Sequence, residues 1–490
     1  MNMYALAQAF PYYDDALQLE ATLDNDHLAQ LYARRGRALE LGGQTQAAYA
    51  NYVQMRAAGD RRSDIALQLG GICGCALLKT LPNAVSNLDE AHALVSEGLD
   101  LARASGDRAT EARLLWNMML VSNFRRDYPN SVALGEGAIA LARALDLRET
   151  LAYTLNDISR AYIGLRRYQT AVATLEEART LWIDLNNKPM LADSLSGLAQ
   201  VQYFSGQLDA GLESAEEAYR VASDAHNDWG QAYALLARSY IALQRGEVGL
   251  ALDLTNRMES ASKSGGLLGG LVFAHSTRSL LYAYLADFER ARAENRAALD
   301  VANQYGLASN FFDFISATYA LVCAYEGDEP SVRTALDDLS RAPYDMNAAT
   351  PMFAGLARAR IALQLRAYDE ALRAVDLLID FLRESGVRVF FPDALMIKAD
   401  ALYHLGQPSE ARALLVEGRS AATTMGTRRV LWEIMTLLGQ VETTLGNPDG
   451  AQTAYAEARS ALAAIADDVP PDMRARFLAT PRAQAVLNAP

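Results

Sequence analysis

Residues 405–411 read Leu-Gly-Gln-Pro-Ser-Glu-Ala, and residues 445–451 read Leu-Gly-Asn-Pro-Asp-Gly-Ala. The same phrase recurs as LRRYQTA (165–171), LADFERA (285–291) and LRAYDEA (365–371). An apolar run ends, a short turn often containing Gly follows, and a small residue opens the next apolar run. Gly is the residue that most easily ends a helix in the left-handed conformation, and Pro is tolerated where a helix begins because its missing N–H leaves no bond unmade. Pro82, Pro129, Pro330, Pro408 and Pro448 all fall at or near such starts. The phrase therefore predicts two helices joined by a tight turn.

Followed outward, the small residue recurs at Ala48, Ala91, Val132, Ala171, Gly211, Ala251, Ala291, Val332, Ala371, Ala411 and Ala451, with successive spacings of 43, 41, 39, 40, 40, 40, 41, 39, 40 and 40. A second small position lies twelve residues earlier, at Gly36, Ser159, Ala199, Ser239, Ser279, Ala320, Ala359, Ala399 and Gly439, with Lys79 and Leu120 departing from it. Small residues at fixed offsets on facing helices are what close helix packing requires, since a large side chain would hold the backbones apart. A fixed period in this range marks a stack of helical hairpins. The chain is expected to be all-α, a superhelix of about eleven hairpins. A partial repeat or cap is expected over residues 1–26, the solenoid over 27–466, and capping helices over 467–490, beyond the break at Pro470-Pro471.

These motifs resemble the tetratricopeptide superfamily over most of the chain. The period near 40 exceeds the 34 residues of the standard repeat and is similar to the long-helix variants of kinesin light chains, bacterial quorum-peptide receptors and the C-terminal arms of maltose-regulator-type signalling ATPases. The resemblance implies a right-handed superhelix whose first helices line a concave groove, with the ligand lying along it. Carried over position by position, it places Tyr153, Asn156 and Arg160 inward in one repeat, Asp193, Ser196 and Gln200 in the next, and Asn117 in the one before. Tyr233, Phe273, Phe314 and Phe353 share the inward offset in later repeats.

Each group has two readings. Asn is a weak helix former, so its use in mid-helix suits either gripping a peptide backbone or a hydrogen bond between repeats. The aromatic rings suit either anchor pockets or core. A basic column, Arg35, Arg238, Arg278, Arg358 and Lys398, either attracts an acidic segment or covers apolar neighbours while pairing with acids on the second helices.

Composition narrows the function. A net charge of −14 and a pI near 5.0 speak against nucleic acid and against anionic membrane surfaces as partners. The first residues lack the features of a secretory signal, so a cytoplasmic location is expected. His27, His92, His226, His275 and His404 are scattered singly, and Cys73 and Cys75 have no second pair, so neither a metal nor a cofactor is expected. The Gly-rich stretch 264–270 lacks the Gly-Lys-Ser/Thr of a phosphate loop and reads as a turn between repeats. No catalytic constellation emerges. The leading expectation is a non-catalytic protein- or peptide-binding scaffold. The alternative is the ligand-sensing arm of a signal-transduction ATPase or transcriptional regulator, with a small-molecule effector and with effector domains outside this chain.

Overall fold

The computed structural model describes the backbone of residues 3–81, 83, 85–339 and 349–489; Pro82 lies outside the described residues. Every regular element among them is helical, and the helices fall into two compact units, residues 1–187 and 188–490. Unit 1 opens with α1 (Met3–Gln18) and then forms hairpins α2/α3 (Asn25–Leu41, Thr45–Arg62), α4/α5 (Ile65–Thr80, Leu88–Ser105), α6/α7 (Arg108–Phe124, Tyr128–Ala144) and α8/α9 (Arg148–Gly164, Tyr168–Asp184). Unit 2 contains α10/α11 (Lys188–Phe204, Leu208–Asp224), α12/α13 (Asp228–Arg245, Val248–Gly265), α14/α15 (Leu268–Tyr284, Phe288–Gln304) and α16/α17 (Ala308–Glu326, Glu329–Leu339). It continues with α18/α19 (Ala349–Gln364, Tyr368–Ser385), α20/α21 (Phe391–His404, Pro408–Met425) and α22/α23 (Arg428–Thr444, Pro448–Asp468), and closes with α24 (Pro471–Leu478) and α25 (Pro481–Leu487). The described residues thus form eleven helical hairpins.

The turns explain the sequence phrase. Helix after helix ends on one residue in the left-handed region, as at Arg126, Asp146, Arg166, Gly206, Gly246, Ala286 and Gly306. The next residue donates its N–H to the carbonyl five positions back, Asp127 to Ser122 and Asn447 to Glu442, both at 2.9 Å. That bond satisfies a carbonyl the helix end leaves open. The same residue then caps the following helix: the side chains of Asp127, Asp287 and Asn447 accept from the N–H groups of Asn130, Arg290 and Gly450. Three residues therefore stop one helix and start another. The stretch 264–270 is such a turn, with Gly266 in the left-handed region between α13 and α14.

The small residues sit where the helices touch. Ala48, Ala91, Ala171, Ala251, Ala291, Ala371 and Ala411 are all completely buried. In α3 the Tyr52 ring lies between Gly36 of α2 and Gly74 of α4, and Tyr455 of α23 packs on Gly439 of α22 at the same sixteen-residue offset. Of the serines at the second small position, Ser279 bonds to the facing helix, its Oγ donating to the Ala291 carbonyl at 2.7 Å, whereas Ser159 and Ser239 donate within their own helices to the Asn156 and Leu236 carbonyls. The departure at Lys79 has a simple cause. The α4–α5 connection spans residues 81–87 instead of three, and counting back past those four extra residues brings the small position to the buried Cys75.

No helix among the described residues is long and apolar enough to cross a membrane. The packing yields a paired prediction. A methyl group on Gly74 would meet Tyr52 ring atoms at 2.4–2.6 Å, whereas one on Gly137, in the exposed face of α7, finds its nearest neighbour at 4.0 Å. Gly74→Ala should destabilise by about 1–3 kcal/mol through overpacking, and Gly137→Ala should stabilise by roughly 0.5–1 kcal/mol through helix propensity. Thermal melts followed by circular dichroism should move in opposite directions.

Candidate functional site

In unit 1 the first helices of the hairpins carry the expected groove residues. Tyr153 of α8 is wedged between Trp116 of α6 and Trp182 of α9, with ring centroids 5.3 and 4.8 Å away. The Trp116 indole donates to Asp157 at 2.9 Å, and Asp157 also faces Arg160 at 3.6 Å. Burial pushes the Tyr153 hydroxyl pKa up, while the nearby charges of Arg37 and Arg113 pull it back. Those two arginines stand on α2 and α6, the first more than a hundred positions before Tyr153 in sequence. Asn117 and Asn156 are buried; the Asn117 amide donates to the Cys73 carbonyl of α4 at 3.3 Å, bridging neighbouring repeats, and the Asn156 amide donates to Asp157 at 3.3 Å. Arg160 and Tyr153 remain partly exposed, and Arg34, Arg37, Ala66, Ala109, Arg113 and Glu149 on the same four helices are solvent-facing.

Unit 2 uses the corresponding positions differently. Phe273, Phe314 and Phe353 touch in sequence, at 5.3 and 6.1 Å, and Phe390 extends the line at 5.7 Å. Phe314 and Phe353 are buried and Phe273 is partly covered. Asp193 and Ser196 are buried, with the Ser196 hydroxyl turned back to the Ala192 carbonyl at 2.8 Å. Gln200 and Tyr233 are partly exposed, the latter 5.5 Å from Trp229. The run of first helices curls until its two ends meet: the Arg388 N–H donates to the Phe204 carbonyl at 2.8 Å, and the Gly249 N–H to Asp468 at 2.6 Å.

At that meeting lies a buried polar network. Arg429 of α22 donates two bonds to Asp393 of α20, at 2.8 and 2.9 Å, and two to the Gln244 side-chain oxygen of α12, both at 3.1 Å. The Gln244 amide reaches the Tyr203 hydroxyl of α10 at 3.3 Å, and the Trp432 indole donates to the Tyr284 hydroxyl at 2.9 Å. Burial opposes the Arg429 charge, but the facing Asp393 outweighs it and holds the guanidinium pKa above its ordinary value. Three members of the basic column pair with second helices, Arg238 with Glu216, Arg278 with Glu259 and Glu294, and Lys398 with Asp376, while Arg35 pairs with Asp14 of α1. Burial also raises the Cys73 and Cys75 thiols, the latter to about 12.

The chain's fold is similar to several solved structures. A Rap protein complexed with competence and sporulation factor is 10% identical, covers 82% of this chain and 99% of its own, and superposes with a TM-score of 0.48. The human IFIT1 dimer with m7Gppp-AAAA is 14% identical over 91% and 93% of the two chains, with a TM-score of 0.44. Yeast Tom70 is 13% identical over 95% and 96%, with a TM-score of 0.36. The likeness is one of fold alone. No protein-family model and no curated protein matches the chain.

The sequence reading did not single out Arg429, Asp393, Gln244 and Trp432. Phe390 was detectable, since it continues the aromatic column by roughly one period; the ion pair had no local signal, because its partners stand 36 residues apart on different helices. Removing one member of a buried pair strands the other charge. Asp393→Ala should therefore destabilise unit 2 by about 3–5 kcal/mol, while Asp393→Leu combined with Arg429→Met should restore most of that loss. Urea unfolding of the single and double variants measures the difference.

Proposed function

We propose that this chain is a non-catalytic scaffold that binds a protein or peptide on the first-helix face of unit 1. The supporting observation is a contrast between the two units. In unit 2 the equivalent face is filled by the chain's own aromatic ladder and ion pair, whereas in unit 1 it presents exposed Arg34, Arg37, Ala109, Arg113 and Glu149 beside the wedged Tyr153. Arg113 has no ion-pair partner among the described residues, on a chain whose net charge is −14. An unpaired guanidinium beside an aromatic edge favours a segment carrying carboxylates, and Arg is the side chain best shaped to grip them; Arg37 is already paired with Glu40 at 2.9 Å. Tyr153, Arg160 and the flanking arginines make the contacts. The buried Asn117 ties α6 to the neighbouring α4 beneath this face.

A photo-crosslinking residue at Ala109, facing this surface, should capture a partner that the same residue at Ala104, on the exposed side of α5, does not. Arg37→Ala with Arg113→Ala should weaken that capture at least tenfold, equivalent to about 1.4 kcal/mol, with the melting temperature unchanged. Capture of the same proteins from both positions would place binding elsewhere.

A further inference from the structure

Near the C-terminus, Arg482 of α25 points into the interior of unit 2 and lands in a box of three aromatic rings. Its guanidinium lies 4.8 Å from the Tyr284 ring centroid, 5.5 Å from Tyr325 and 5.7 Å from Trp432. It donates to Glu433 at 3.0 Å and to the Tyr284 backbone carbonyl. The walls come from α14, α16 and α22, so the box exists only because the two ends of unit 2 meet. This is a full set of guanidinium-recognising groups: π faces, a carboxylate and a carbonyl.

The nearly buried Glu433 also favours a cation in the box. Arg429 is taken up by Asp393, and Arg360 stacks on Tyr325 at 4.3 Å but stands 4.0 Å from Glu433. The closer partner of the nearly buried Glu433 is Arg482 itself. The hold on α25 is mainly polar. The helix has seven residues, of which only Ala483 and Val486 are buried, and Arg482 keeps 23% of its side chain exposed at the mouth of the box. A helix this short has no stability of its own in water, so its position depends on the guanidinium it inserts.

We propose that the Tyr284–Tyr325–Trp432–Glu433 box is a guanidinium-recognition site, that Arg482 is its internal occupant, and that an arginine side chain of a partner segment takes its place. The box is confined to unit 2 and is independent of the binding face on unit 1. The probes are N-acetyl-arginine N-methylamide and its lysine counterpart, titrated by calorimetry against the full chain. Arg482→Ala should bind the arginine probe at least tenfold more tightly than the parent chain, with no gain for the lysine probe. Adding Glu433→Gln should abolish the gain. Equal gain for both probes, or none for either, overturns the proposal. Should Arg482→Ala lose its helical signal, Arg482→Lys serves instead: it keeps the charge but not the planar fork, and an arginine affinity no better than the parent's is again fatal. In the parent chain, saturating arginine probe should speed amide hydrogen exchange in α25, and unchanged exchange rules out the swap of occupants.

Discussion

Two helices can come together closely only where no large side chain stands between them, and each part of this structure follows from where that condition is met. Ala48, Ala91, Ala171 and their successors are completely buried at one point of each hairpin, and the Tyr52 ring fills the space between Gly36 and Gly74. Because these contacts recur at nearly constant spacing, each hairpin stacks on the last in the same register. The register then turns single residues into columns. Phe273, Phe314 and Phe353 come from three hairpins, yet they touch because the backbones beneath them are held at a fixed offset.

Columns have consequences for polar groups. When the first-helix faces of unit 2 curl until α12 meets α22, side chains that an open groove would leave in water lose it. Each must find a partner or unfavourably lose its hydration. Arg429, Asp393, Gln244 and Tyr203 solve this by bonding to one another across helices from opposite ends of the unit. Such a cluster contributes little net stability compared with an apolar filling, but a partly assembled version is strongly disfavoured. It therefore enforces one closure of the unit over near alternatives.

The two units thus put the same repeat to different uses. In unit 2 the inner surface becomes core, and Arg482 completes it by inserting a cation where carboxylate and π faces converge. In unit 1 the inner surface keeps Arg34, Arg37, Arg113 and Glu149 in solvent around a rigidly wedged tyrosine. A surface held by its own core has little conformational entropy left to lose when a partner docks. That is the physical content of the scaffold we propose.

The sequence alone determined the hairpin, its period and the number of repeats, because helix stops, caps and small contact residues act over a few positions and leave a local imprint. It also put Tyr153 and the aromatic column at one shared offset in their repeats, since offset follows from the period. It left two readings for each candidate residue, and only the tertiary structure could decide whether a given face meets water or another helix. Asp193, Phe314 and Phe353 share an offset with Tyr153, yet they are buried, because burial depends on how far a stack curls and on what reaches back across it. Curl accumulates from small rotations at every repeat and no single residue encodes it, which is why the ion pair at Arg429 and the box around Arg482 were invisible until the two ends of unit 2 met.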